Sequence, residues 1–159
     1  DTKAYEDSYI PKGDDYFTED SVLEDTDFFA DVTVLSARLD SDSAHYTLRI
    51  NSLVSKTGEE SKTNITIESS TPYIMQENRE YFIPLRKENG TYSMAFENAP
   101  QIEISLDGDI VFQNGWKSLD DDSGILKDSQ KSKNDYFYDR MRYSSKNDLQ
   151  DLLAKWRTM

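Results

Sequence analysis

Residues 28–55 read FFADVTVLSARLDSDSAHYTLRINSLVS, and this stretch decides the fold. Val32 and Val34 alternate with Asp31 and Thr33, the period-2 pattern of a strand with one buried face. The phase then changes, because Leu35, Ala37 and Leu39 take over the apolar positions. A one-residue slip turns every later side chain to the opposite face, so a continuous strand that changes phase needs a bulge at Val34/Leu35. Asp40-Ser41-Asp42-Ser43 reads as a turn. Tyr46, Leu48 and Ile50 then alternate with Thr47 and Arg49, and the pattern resumes near Leu53. The prediction is a long, bent hairpin.

C-terminal to the hairpin, Lys56–Glu60 reads as a polar loop, and Ile65 and Ile67 mark a third strand that ends at Thr71-Pro72. Residues 73–80 form a connection in which Tyr73, Ile74 and Met75 are placed to plug one end of a barrel. Tyr81–Leu85 begins a fourth strand, and Pro84 within it predicts an edge or bulge position, since proline cannot donate to a ladder. Asn89-Gly90 is a strong hairpin-turn signal, with Tyr92, Met94 and Phe96 returning on one face. Ile102, Ile104 and Leu106 lead to a second tight turn at Asp107-Gly108, after which Ile110 and Phe112 follow. Near the end, Leu149, Leu152, Leu153 and Trp156 lie at i, i+3, i+4 and i+7, one face of an amphipathic helix. Ser145 and Asp148 supply a capping-box pattern at its start.

Together these elements predict a mostly-β chain. It is organised as an acidic N-terminal arm (1–27), a small closed five- to six-stranded barrel (28–119), and a linker with a C-terminal amphipathic helix that packs on the barrel (120–159). The order of the strands resembles an OB-fold barrel of the netrin-like and TIMP-like branch, and also small exported domains of Gram-positive bacteria that are often lipoproteins. The resemblance rests on the long hairpin 29–39 with 43–54, the strand 63–69, Asn78-Arg79-Glu80-Tyr81 running into Phe82–Leu85, the Asn89-Gly90 turn, and the last hairpin around Asp107-Gly108. Asn78 stands where the pattern has glycine, and asparagine is the side chain that best tolerates the left-handed conformation after glycine. The chain lacks the disulfides of netrin-like proteins and the N-terminal Cys that TIMP-like inhibitors place on a protease zinc.

Charge narrows the functional classes. The 159 residues carry a net charge of −13. Residues 1–31 hold eleven acids against two bases, whereas residues 120–159 hold eight of each. Phosphate backbones and anionic lipid surfaces repel such a chain, so nucleic acid is excluded as the expected partner. With no cysteine, disulfides and Cys-based zinc sites are ruled out. No run reaches the ~18 apolar residues of a membrane-spanning helix, and no signal-peptide pattern occurs. His45, the single histidine, falls on the polar face of its strand. The acids at 107–109 and 120–122 lack the ligand register of an EF-hand calcium loop. The six glycines are isolated turn residues rather than a phosphate loop.

The expectation is therefore a non-catalytic binding or interaction domain without cofactor or metal. Its partner is a protein or a cell-envelope component, and Tyr73, Tyr92 and Trp116 are the candidate binding residues. Because the sequence starts at Asp1 rather than Met and lacks cysteine, an extracellular or cell-surface location is expected, with possible lipid anchoring through upstream residues. Two alternatives stand beside it: a small extracytoplasmic hydrolase using a carboxylate pair, and a structural assembly module.

Overall fold

The computed structural model describes residues 19–70, 74–95, 101–111 and 145–159. Eight strands form one antiparallel sheet: β1 (Phe28–Leu39), β2 (Ala44–Ser55), β3 (Gly58–Glu59), β4 (Ile65–Ser69), β5 (Glu80–Glu88), β6 (Thr91–Met94), β7 (Ile102–Ile104) and β8 (Ile110–Val111). Helix α1 (Glu19–Asp25) precedes them and helix α2 (Lys146–Arg157) follows.

The β1–β2 hairpin is the frame. Its register slips between Val34 and Ser36, where the phase change predicted a bulge, and again between Asp31 and Val32. At the second slip Ser52 pairs with Asp31 and Ile50 with Val32, which leaves Asn51 as the extra residue. The two bulges bend the hairpin. The first half of β1 is flanked by both β2 and β5, whereas its second half has lost β5 and keeps β2, whose far edge holds β4. The Asn89-Gly90 turn has φ of 50° and 81°, as a two-residue hairpin turn requires. Asn78 has φ of 66°, so its short side chain does serve the left-handed position.

The sheet is not closed into a barrel, which corrects the sequence-based expectation. β2 joins β4, and β5 joins β6, but no ladder links β4 to β6. Following the antiparallel pairs around the sheet makes β4 and β6 run in the same direction. Parallel pairing is the weaker kind per residue, and β6 offers just four residues for it. Pro84 is also not at an edge, because β5 lies between β1 on one side and β6 and β7 on the other. The Pro84 carbonyl accepts from Ala95 N–H at 3.0 Å, so its nitrogen faces that same side. There the β7 ladder has ended at Phe82 and the β6 ladder begins at Leu85, and no donor is missed.

Both faces of the sheet are buried. Val32, Val34, Tyr46, Leu48, Ile67, Tyr81 and Ile83 are at most 4% exposed. Ile74 and Met75 are buried with them. The connection they belong to is tied down by phenols: the Met75 N–H donates to the Tyr46 hydroxyl (3.0 Å) and the Gln76 N–H to that of Tyr81 (2.9 Å). On the other face Phe29 stacks on Phe82 (centroids 5.2 Å) and meets the Trp156 ring edge-on (4.8 Å). Helix α2 thereby docks through Leu149, Leu152, Leu153 and Trp156, the residues its periodicity singled out. Its ends are stitched to loops. The Ser145 N–H donates to Asp148 (3.3 Å), Lys146 N–H donates to Gly108 O (3.4 Å), and the Arg157 guanidinium donates to the Ser55 and Gly58 carbonyls. In α1, Val22 and Leu23 are completely buried, and the Lys155 ammonium of α2 pairs with Asp20 at 3.2 Å.

The Trp156 Nε1 is buried without a hydrogen-bond partner. Its contribution is thus ring area rather than polarity. Trp156→Phe should cost under about 1.5 kcal/mol of unfolding free energy, and Trp156→Ala about 3–5 kcal/mol. Urea titrations of the two variants check this, and equal losses would contradict it.

Candidate functional site

With the interior filled by side chains, sites for a ligand lie outside it. The first follows from the open seam. Cα atoms of β4 and β6 approach within 8 Å of each other, and a cleft of about 550 Å³ lies along them. Cross-strand register builds its walls in two rows. Ser36, Thr47 and Thr66 form one, and Arg38, His45 and Glu68 form the next. Thr91, Tyr92 and Ser93 of β6 face them. Tyr92, a residue the sequence singled out, is held by an edge-on contact with Phe28 (5.6 Å) and by the Lys87 ammonium 5.0 Å from its ring centre. Tyr73 and Trp116 lie outside the described residues.

His45 sits at the rim of this cleft in a local network. Its Nε2 is 2.7 Å from Asp40 Oδ2 and 3.3 Å from Ser43 Oγ, and its Nδ1 is 3.9 Å from Glu68. Arg38 also reaches Asp40, at 3.2 Å. The arrangement carries the residue types of a serine–histidine–carboxylate triad in the wrong order. The nitrogen that must take the serine proton is already engaged by a carboxylate, which removes the base the nucleophile needs. Its role is to close the 40–43 turn. Among the described residues no group of His and acidic side chains is placed to hold a metal ion.

A second polar cluster, unmarked in the sequence, lies on the sheet face that α2 partly covers. Asp31 and Glu80 are far apart in the chain, but β1 and β5 pair Thr33 with Glu80 and Asp31 with Phe82, so the two acids are diagonal neighbours. The bulge at Asn51 aims its amide at both Asp31 (3.1 Å) and Thr33 (3.0 Å). Lys146 at the start of α2 pairs with Glu80 at 3.2 Å. Burial under the helix, and then the hydrogen bond and charge of Glu80, push the Asp31 carboxyl up to about 7. On one side of the pair is a crevice of about 70 Å³ beneath α2. On the other is a cleft of about 530 Å³, lined by Arg49, Arg79, Glu103 and Leu106. In its wall the Glu103 carboxylate accepts from the hydroxyl of the buried Tyr81 (3.1 Å) and pairs with Arg79 (3.2 Å). Burial and the nearby Glu103 charge push the Tyr81 phenol far above its usual range.

The Asp31–Glu80 pair bears on the hydrolase alternative. Carboxyls that hydrogen-bond each other are closer than the ~5 Å or more that either glycosidase geometry uses. The crevice under α2 also lacks room for a sugar ring. The pair instead packs beneath the helix, where Lys146 pairs with Glu80 and Asn51 donates to Asp31.

Comparison with models of known protein families gives no match, and no curated protein matches the chain in sequence.

The linkage sign follows from Asp31 being held above its unfolded value. Its contribution to stability is complete below pH 3.8 and is lost as pH rises to about 7. Asn in its place keeps a donor for Glu80 without ionising. Asp31→Asn should flatten the pH dependence of Tm in that window and stabilise the protein at pH 8 by about 2 kcal/mol, a value discounted for the partial exposure of the group. Thermal melts across the range check the slope, and an unchanged slope would remove the assignment.

Proposed function

We propose that the protein is a non-catalytic binding domain, exported or held at the cell surface, that recognises a component of the cell envelope. The observation that carries this reading is the seam cleft. Its walls present the hydroxyls of Ser36, Thr47, Thr66, Thr91 and Ser93 beside the aromatic ring of Tyr92, with the buried Tyr46 behind them. Hydroxyl donors and acceptors with an aromatic surface suit a polar, polyhydroxylated ligand, and the paired charges at the rim leave little net field for an ionic one. An inserted peptide strand is disfavoured by spacing, because it needs two ladder distances, ~9.5 Å, between β4 and β6. The absence of cysteine agrees with export from bacteria that avoid thiols.

The strand arrangement supports the OB-like reading of the fold in the same sense. Ordered through space as β1, β2, β4, β6 and β5, the main strands would need one further parallel ladder, between β4 and β6, to make a closed five-stranded barrel. Netrin-like domains and small exported Gram-positive domains remain the resemblance this topology supports. Fold alone does not specify the ligand, so the proposal rests on the cleft.

The test is a titration of isotope-labelled protein with soluble cell-wall glycan fragments, read by backbone amide NMR shifts. Shifts confined to β4, β6 and the middle of β2 are expected. Thr66→Lys, an exposed substitution, should weaken binding about tenfold or more. Shifts elsewhere, unaltered affinity in the variant, or turnover of the fragments would each overturn the reading. Fractionation of cells producing the natural protein should place it in the envelope, and a cytosolic location would refute the export claim.

A further inference from the structure

The cleft beside Glu80 shares no lining residue with the seam, and its chemistry differs. Its floor is one cross-strand row of Arg49, Thr33, Glu80 and Ile104. The acids there are already matched: Glu80 by Lys146 and Glu103 by Arg79, each at 3.2 Å. Arg49 makes no ion pair among the described residues. Its Nη2 donates to Thr33 Oγ1 at 3.3 Å, and a guanidinium has five N–H donors. Among the described residues most of that fork is therefore open. The lining sets Arg49 and Arg79 against Glu80 and Glu103, a local balance in a chain of net charge −13.

The rim adds a second unexplained feature. Leu106 is completely exposed. It is held out on the turn that joins β7 to β8, where Ser105 N–H donates to Asp109 O (2.9 Å), Asp109 N–H donates to Ser105 Oγ (3.0 Å) and Gly108 has φ of 84°. An open guanidinium fork and an exposed apolar side chain on one cleft complement a carboxylate carried by an apolar residue.

We propose that this cleft binds the free C-terminal carboxylate of a polypeptide that ends in an apolar residue. Arg49 grips the carboxylate bidentately, and Leu106 covers the terminal side chain.

The experiment titrates the whole chain with acetyl-Ala-Ala-Leu, with the same peptide as its C-terminal amide, and with hexanoate, by amide NMR shifts. The free-acid peptide should bind with shifts at Arg49, Thr33 and residues 104–107, and the amide should bind at least about tenfold more weakly. Equal binding of acid and amide overturns the proposal, as does no binding of the acid. Hexanoate binding as tightly as the peptide overturns the polypeptide assignment. Arg49→Gln should lose the preference for the acid, Arg49→Lys should keep part of it, and Leu106→Ser should weaken the peptide without removing the preference. Wild-type affinity in Arg49→Gln, where the replaced side chain is exposed, also overturns it.

Discussion

Strand β1 works under one constraint that shapes everything around it. It must stay hydrogen-bonded to β2 along its length while exchanging its other neighbour halfway. Two bulges achieve this, at Asn51 opposite Asp31/Val32 and at Leu35. Each adds a residue without a partner, increases the local twist and resets which face is apolar. The first half of the hairpin can then support β5, β6 and β7, and the second half β4. The seam between β4 and β6 is the residue of that division. The bend brings them side by side in parallel orientation, without the ladder that would have sealed them.

The same bulges populate the polar sites. A bulge re-aims a side chain, and Asn51 is turned onto Asp31 and Thr33. The interior accepts few polar groups, and several of them are satisfied at its end by Tyr46, Tyr81 and Arg79 around the 74–80 connection. With the core closed to solvent, recognition is left to the outer rows of side chains. One is hydroxyl-rich along the seam, and the other is built on an arginine in the same cross-strand row as Glu80.

Much of the frame could be read from residue order. The phase change at Val34/Leu35, the Asn89-Gly90 and Asp107-Gly108 turns, the left-handed Asn78 and the face of α2 are local patterns, governed by two to eight neighbouring residues. The open seam was not legible, since whether β4 reaches β6 depends on twist accumulated over the whole sheet. Pro84 shows the limit of a single-residue rule, because its missing donor falls in a gap between two ladders that only the register reveals. The Asp31–Glu80 pair left no trace either, as nothing in a chain with 31 acids marks two of them as diagonal neighbours. Tyr92 was singled out as an aromatic at the start of a returning strand, and it lines the seam. Val22 and Leu23 look like sparse apolar residues in an acidic stretch, yet both are fully buried.

Helix α2 reaches far back along the chain to cover Phe29 of β1 and Phe82 of β5. Until residues 146–157 have been synthesised, that aromatic face has nothing to rest on, and the ion pair from Lys146 to Glu80 cannot form. Long-range closure of this kind slows folding, because two segments far apart in the chain must meet before their contacts offset the entropy of closing the loop between them.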